Sequence, residues 1–483
     1  MSGGFRSRAA GRREPKKSVP AADQQKPRTS KQGGHKRQRG TQSNDPAREA
    51  ALHVLHRVAT DGAYANLVLP ALLRERRITG RDAAFATELT YGTLRTQGVL
   101  DAVIAANSSR ELGKIDPWVL AALRLGTYQL LYTRVSPHAA VDTSVQLVEA
   151  AGQGKAKGFA NGILRTIGRS TAQQWFDRLM PSDKLDALAF QHAHPAWIAR
   201  SFESALGAHA DELGDALEAD SRRPGVHLVA RPGELSAEEL ALAIGGEQGR
   251  YSPYAVYLDE GDPGQLAPVR EGIAAVQDEG SQLIARAVVE AEVADDQGRW
   301  LDLCAGPGGK AALMGALARI DGATVDAVEP SKHRADLVRK ATQGLPVTVH
   351  TTDGRTPGLE PGYDRVLVDA PCSGLGALRR RPEARWSKQE SDIDELVPLQ
   401  KSLLSSAIAL ARPGGVVVYS TCSPDVRETR GVVEDALEGG EVEELEASKY
   451  ACGMAETGEA KSVQMWPHRH GTDAMFFAVL RKK

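Results

Sequence analysis

Two cysteines stand in company that suits covalent chemistry. Cys372 lies in Asp369-Ala-Pro-Cys-Ser-Gly-Leu-Gly, and Cys422 lies 50 residues later in Ser420-Thr-Cys-Ser-Pro. Each follows a short apolar run that reads as a buried strand. A lone cysteine after a strand is commonly a small buried hydrophobe. Two of them, each beside polar residues and Gly or Pro at the ligand edge of one sheet, point instead to a reactive cleft. Cysteine is the most nucleophilic uncharged side chain near neutral pH once its thiolate is populated. Lys310 or a helix N-terminus could lower the pKa of such a thiol. Asp369 could bond a ring nitrogen of a bound base, or it could be a capping acid.

A second constellation precedes the cysteines. The segment Cys304-Ala305-Gly306-Pro307-Gly308-Gly309-Lys310 joins a strand to a helix. Its glycines permit a tight turn and close approach of backbone to a ligand at a helix N-terminus. Ala311 after Lys310 departs from the nucleoside-triphosphate loop, which needs Ser or Thr there. Glu329 ends the next strand, 23 residues after Gly306, an offset at which an acid can accept bonds from ribose hydroxyls. A solvated acid is the alternative. Asp353, in Thr-Thr-Asp-Gly-Arg, either reaches an adenine amino group or forms a turn before Gly354. Together these suggest an adenosine-type cofactor without a pyrophosphate.

The elements that must position these residues form an alternating series. From about residue 298, the runs RWLDLCAG, ATVDAVEP, VTVHTTDG, YDRVLVDAP and GGVVVYSTC alternate with helical stretches such as 308–320 and 331–341. That order implies a parallel sheet covered on both faces, with ligands beyond the carboxyl ends of the strands. Residues 45–168 carry helical periods and no convincing strand. Asp45-Pro46 and Asp116-Pro117 open two of the helices as N-cap and first-turn residues. Residues 169–290 are expected to be a connecting α+β segment, helical at 194–207, with short strands in 225–233 and 254–261. The fold expected for 291–483 is α/β and Rossmann-like.

Bulk properties bound the function. A chain of 483 residues exceeds one ordinary core and calls for two or three domains. No apolar run is long enough to span a bilayer, and the N-terminus lacks the apolar stretch of a secretory signal. A cytoplasmic, reducing location is therefore expected, with Cys304, Cys372, Cys422 and Cys452 as free thiols. None pairs as Cys-x-x-Cys, so no metal is expected. Residues 1–44 hold 12 Lys and Arg against 2 Asp and Glu, leaving 48 basic against 60 acidic residues in the remainder. This segment reads as a disordered basic tail, either a polyanion-attracting arm or a solubilising one.

The motifs LDLCAGPGGK, DAVEP, DGR, DAPCSGLGALRRRPEARW and YSTCSP, in that order, resemble the RsmB/Sun (Fmu) and Nop family of RNA cytosine-5 methyltransferases. The segment 276–285 resembles the family's lead-in and 471–480 its closing hairpin, so the likeness covers about 190–483. Residues 45–168 resemble the NusB-type RNA-binding domain of the bacterial branch that acts on small-subunit ribosomal RNA. The resemblance implies S-adenosylmethionine over residues 304–310, with Glu329 at the ribose, Asp353 near the adenine, and Asp369 close to cofactor and base. It implies Cys422 as nucleophile, Cys372 as the thiol that assists product release, and Lys310 as an orienting group. Arg379, Arg380, Arg381 and Arg385 then become candidates for holding RNA phosphate, and Trp386 for stacking on a base or packing in the core. The expected partner is RNA, with no membrane or metal and with the chain a monomer. Departures from the family pattern are Gly306 and Ala311 in place of Ala and Thr, and Glu329 in place of Asp. His-Leu-Val-Ala-Arg at 227–231 replaces the more usual Leu-Arg-Val-Asn. Competing readings are an assembly factor with an inactive domain, transfer RNA as substrate, and methylation of an exocyclic amine, for which Asn-Pro-Pro-Tyr would be expected near residue 369.

Overall fold

The computed structural model describes residues 45–259 and 261–483. The basic tail expected over residues 1–44 lies outside the described residues.

Seven helices make the N-terminal region: α1 (Pro46–Asp61), α2 (Ala65–Glu75), α3 (Gly80–Arg95), α4 (Gln97–Asn107), α5 (Pro117–Tyr132), α6 (Pro137–Ala150) and α7 (Lys157–Ile167). Local chemistry starts and stops them. The Asp45 carboxylate accepts from Arg48 N at 2.9 Å, Pro46 takes the first turn, and Gly62 ends α1 at φ 61°. Asp116 caps α5 in the same way, accepting from Trp118 N at 2.9 Å. Leu55, Leu89, Leu100, Val103, Leu123 and Leu164 are among the side chains that close one core between these helices. No strand falls in this stretch.

The connecting segment is more organised than its weak patterning suggests. Strands β1 (Val226–Ala230), β2 (Glu247–Gln248), β3 (Ala255–Leu258) and β4 (Ala274–Val276) form an antiparallel sheet in the order β2-β3-β1-β4. Leu228, Ala230, Val256 and Leu258 pack under the helix Ala237–Ile244 in a small core of their own. The helix Glu279–Glu290, counted with this segment on sequence, buries Leu283, Ile284 and Val288 against the large sheet instead.

That large sheet contains β5 (Arg299–Asp302), β6 (Thr324–Val328), β7 (Val347–His350), β8 (Tyr363–Asp369), β9 (Ala411–Thr421), β10 (Val442–Leu445), β11 (Val463–Gln464) and β12 (Phe476–Lys482). The order is β10-β12-β9-β8-β5-β6-β7, with β11 paired to β12. The pairs from β7 through β9 are parallel; β12 is antiparallel to β9 and to β10. The sheet is thus mixed rather than all parallel, because an apolar run carries no direction and only its connections set one. Burial alternates along the strands. Trp300, Leu367, Val416 and Val418 face one core, while Leu301, Val366, Val368 and Val417 face the other. Helices Glu279–Glu290 and Gly309–Asp321 cover the first face and Ser391–Leu410 the second. With both faces covered, the open edge for a ligand is the line of carboxyl ends of β5, β6, β8 and β9.

Candidate active site

Register sets the centre of the site. Asp369 and Ser420 are cross-strand partners at the ends of β8 and β9, and Ser420 Oγ donates to Asp369 at 3.0 Å. Beyond them the two cysteine loops turn toward each other. Cys372 Sγ and Cys422 Sγ are 3.4 Å apart, within hydrogen-bonding distance for sulfur, and both residues are half-buried. Gly376 locks the loops together. Its N–H donates to the Cys422 carbonyl and its own carbonyl accepts from Ala474 N, both at 2.9 Å. A Cβ at Gly376 would sit 1.8 Å from the Ala474 carbonyl oxygen, so only glycine fits.

Buried polar groups that sequence reading did not single out hold this arrangement. Glu428 accepts from Ser373 N at 2.8 Å, from the Ser373 hydroxyl, and from Gln400 Nε2 at 2.9 Å. Gln400 also donates to the Pro371 carbonyl at 2.9 Å, and Tyr419 Oη donates to the Glu428 carbonyl at 2.7 Å. Glu428 and Gln400 are fully buried. Glu428 sits in a charged run, Arg-Glu-Thr-Arg, whose pattern is that of solvent; only the fold turns it inward.

The two thiols differ electrostatically. The hydrogen bond from Cys372 lowers the Cys422 pKa, and the positive charges of Lys310 and Arg381 add to this against burial and the Asp369 charge. Cys372 moves the opposite way, well above an ordinary thiol, because it bonds to Cys422 and is buried near Cys422, Glu428 and Asp369 charge. The surroundings thus favour the charged form at Cys422 and the protonated form at Cys372. Lys310 is buried and bonds Asp369 at 2.8 Å, so the cation is held beside the thiols.

The glycine turn lies against the same edge. Ala305 N donates to the Val328 carbonyl at 2.9 Å, which seats the turn on β6. Gly308 has φ 115°, and a Cβ there would meet Ala341 at 2.9 Å and Val338 at 3.0 Å. Pro307 and Gly309 are exposed along the turn. Glu329, 2% exposed, accepts from Ser331 N at 2.9 Å and lies 3.4 Å from Arg334 Nε. Arg334 in turn donates to the Gly306 carbonyl at 2.6 Å. The Cys304 thiol is pushed well up by burial and by neighbouring acids, which leaves it protonated. Asp353 sits past β7 with both oxygens on Arg355, whose hydrogen bonds bring its pKa down to about 2.

Asp302 is a further member of this acid group. It is buried, one oxygen accepts from Cys304 N at 3.3 Å, and the other has no partner among the described residues. Burial, then the charge of Asp369, raises its pKa to about 7. The folded chain therefore holds a proton there between about pH 4 and pH 7 that the unfolded chain releases, so stability falls as pH rises through that window. Asp302→Asn is expected to flatten the pH dependence of thermal unfolding in the cofactor-free protein, by up to about 4 kcal/mol across the window. Equal slopes for parent and variant, measured from about pH 5 to about pH 7.5, would count against this.

The arginines after the cysteine loop are mostly interior. Arg379 donates to Asp473 at 2.6 Å and to the Gly471 carbonyl at 2.9 Å, and lies 3.3 Å from Asp278. Arg380 pairs with Asp278 at 2.7 Å and Asp473 at 2.8 Å. Arg385 is 0% exposed and paired with Asp220 at 2.9 Å. This corrects the expectation that these three hold phosphate: Arg379 and Arg385 are sealed, and Arg380 has spent its guanidinium on two carboxylates. Trp386 is a packing residue, its Nε1 donating to the Leu94 carbonyl at 2.7 Å while its ring covers Gly98. Arg381 is exposed and makes no ion pair among the described residues.

Family comparisons agree with the geometry. Residues 291–481 match the model described as 16S rRNA methyltransferase RsmB/F, and residues 45–169 match the NusB family. The chain is 32% identical over 451 residues to "Ribosomal RNA small subunit methyltransferase B" of Escherichia coli O6:K15:H31, covering 90% of this chain and 98% of that protein. The chain belongs to the RsmB/F family of methyltransferases. A "Putative methyltransferase Rv1407" of Mycobacterium tuberculosis H37Rv is 59% identical over 442 residues, covering 91% of this chain and 97% of that protein. The crystal structure of PH0851 superposes with TM-score 0.78 at 23% identity, covering 91% of this chain and all of that one, a likeness of fold. RsmB/F membership makes the chain an S-adenosylmethionine-dependent RNA methyltransferase. The residues present suit that cofactor. A glycine turn opens a helix, Glu329 follows β6, and the neighbouring acids Asp302, Glu329 and Asp369 would suit a cationic ligand. Among the described residues, no group of His, Cys, Asp or Glu is arranged for a metal ion, and no helix is long and apolar enough to cross a membrane.

Proposed function

We propose that the chain methylates carbon 5 of a cytosine in small-subunit ribosomal RNA through a covalent bond between Cys422 and carbon 6. The observation that carries this is the pair of thiols 3.4 Å apart with opposite pKa shifts beside the Lys310–Asp369 pair. S-adenosylmethionine, held by residues 304–310 with Glu329 at the ribose and Asp353 near the adenine, supplies an electrophilic methyl group.

Carbon 5 of cytosine is a poor nucleophile. The Cys422 thiolate adds to carbon 6, and the electron pair displaced toward the ring makes carbon 5 enamine-like. A proton held between Asp369, itself fixed by Lys310 and Ser420, and ring nitrogen 3 stabilises the adduct and returns to Asp369 when the ring is restored. Addition consumes the Cys422 thiolate, and with it the leading cause of the raised Cys372 pKa. Carbon 5 bonds to the methyl carbon as that carbon's bond to the donor sulfur breaks. Cys372 then releases its own proton to solvent, and its thiolate takes the proton from carbon 5. The electron pair of that C–H bond restores the double bond, and the Cys422–carbon 6 bond breaks to return the thiolate. Covalent catalysis divides one difficult step into easier ones. The target base must leave its stack to reach the cleft.

The test uses the purified full chain, S-adenosylmethionine and small-subunit ribosomal RNA from a strain lacking the gene. Nucleoside mass spectrometry is expected to find 5-methylcytidine at one site. Methylation at the exocyclic amine, or of transfer RNA only, would overturn the proposal in chemistry or in substrate respectively.

A further inference from the structure

We propose that Tyr64, on the N-terminal helical domain, and Arg381, on the cysteine loop, together hold the RNA nucleotide adjoining the target base. The inference rests on the cytosine-methyltransferase function above and extends its site to a second domain.

Three observations on different elements converge. The first concerns Tyr64, a large aromatic side chain left 52% exposed at the residue that precedes α2. Its backbone is not loose, because the next residue's N–H, on Ala65, donates to Glu383 at 3.1 Å in a buried bond across the domain junction. The second concerns Arg381. Its neighbours Arg379, Arg380 and Arg385 pair with carboxylates, whereas its guanidinium lies over the Tyr64 ring at 5.5 Å and has no carboxylate within ion-pairing distance among the described residues, the Glu383 charge lying further off. The third is location. Arg381 N donates to the Ala377 carbonyl at 3.2 Å and to the Leu378 carbonyl at 3.1 Å, which fixes it on the turn just past Gly376, the residue that bonds the Cys422 carbonyl.

The junction around this pair is rigid. Trp386 donates to the Leu94 carbonyl, and Arg385 lies 3.4 Å from the Arg95 carbonyl oxygen, so the cysteine loop and the ends of α3 and α4 form one wall. An exposed aromatic face offers stacking to any base, and a guanidinium resting on that ring keeps its N–H edge free for phosphate. Single-stranded RNA carries both groups at the spacing of one nucleotide. The helical domain then serves as part of the active-site mouth, where it holds the strand while the target base turns into the cleft.

The test measures steady-state methylation of a small-subunit ribosomal RNA transcript by the full chain. Tyr64→Ala is expected to raise KM for RNA about tenfold, in line with the loss of one stacked base, with kcat and the KM for S-adenosylmethionine near the parent values. Tyr64→Phe keeps the ring and is expected to behave as the parent. Arg381→Gln is expected to weaken RNA binding and to reduce its salt slope by about one. The double variant is expected to cost less than the sum of the singles, because the two side chains act as one unit. Parent-like KM for RNA in both Tyr64→Ala and Arg381→Gln would overturn the inference. Absence of 5-methylcytidine with the parent chain would overturn the underlying function instead, so the two failures are distinguishable.

Discussion

Cys422→Ala is expected to lose methyl transfer by on the order of 10⁴-fold or more while still binding cofactor and RNA. The size follows from chemistry. Without addition at carbon 6, carbon 5 of cytosine has no electron density to offer an electrophile, and no other group can supply it. Cys372 is nearest, but without Cys422 its thiol is still raised by burial and by the Glu428 and Asp369 charges. Cys304 is protonated for similar reasons. Cys422→Ser is expected to be about as inactive, because the hydroxyl does not ionise in this pH range even beside Lys310. Single-turnover transfer with radiolabelled cofactor measures the loss, and binding assays on the same variants show that the site is otherwise intact. Retention of a tenth of parental activity in either variant would exclude the nucleophile assigned to Cys422.

Gly306→Ala is the second large effect, and it carries its own rescue. A Cβ at Gly306 would lie 2.1 Å from Glu329 Oε2 and 2.8–2.9 Å from the Arg334 guanidinium. Glu329 cannot move aside freely: it is buried, bonded by Ser331 N, and flanked by Arg334. At both places the sequence departs from the family pattern it resembles, which implies Ala and Asp as the commoner residues. The longer acid and the missing methyl are two halves of one exchange. Overpacking of this kind costs about 1–3 kcal/mol, which corresponds to a loss of about 5- to 150-fold in cofactor affinity when it displaces the ribose acid. Glu329→Asp alone withdraws the carboxylate and leaves a gap. The pair Gly306→Ala with Glu329→Asp is expected to bind S-adenosylmethionine better than Gly306→Ala alone. Calorimetric titration of the cofactor into each variant reads this without any turnover. Additive losses would mean that the two departures are unrelated.

The sheet and its reactive edge were legible because their signals are local. Each strand from β5 to β9 is a short apolar run closed by Asp, Gly, Pro or Cys, and strand alternation with helices places those ends on one side. That two cysteines 50 residues apart meet at 3.4 Å follows from β8 lying next to β9. The arginines were not legible, because their partners are remote in sequence. Arg379 meets Asp473 across 94 residues and Asp278 across 101, and Arg385 meets Asp220 across 165. A charged run reads as solvated unless those partners are known. Glu428 and Gln400 escaped for the same reason: a buried carboxylate inside a polar stretch carries no periodic mark. The edge strand β10, Val-Glu-Glu-Leu, has too little apolar content to stand out from a loop.

The central claim is that one sulfur attacks the ring and the other lets it go. Cys372→Ala separates the two steps, since the adduct forms through Cys422 but the carbon 5 proton has no acceptor. The most direct measurement is denaturing electrophoresis of this variant after incubation with RNA and S-adenosylmethionine, followed by nuclease digestion and peptide mass spectrometry. A shifted protein–RNA band, with the methylated nucleotide mapped to Cys422 and absent from Cys372→Ala/Cys422→Ala, is the expected result. No band from Cys372→Ala, or a nucleotide on any other residue, would contradict it.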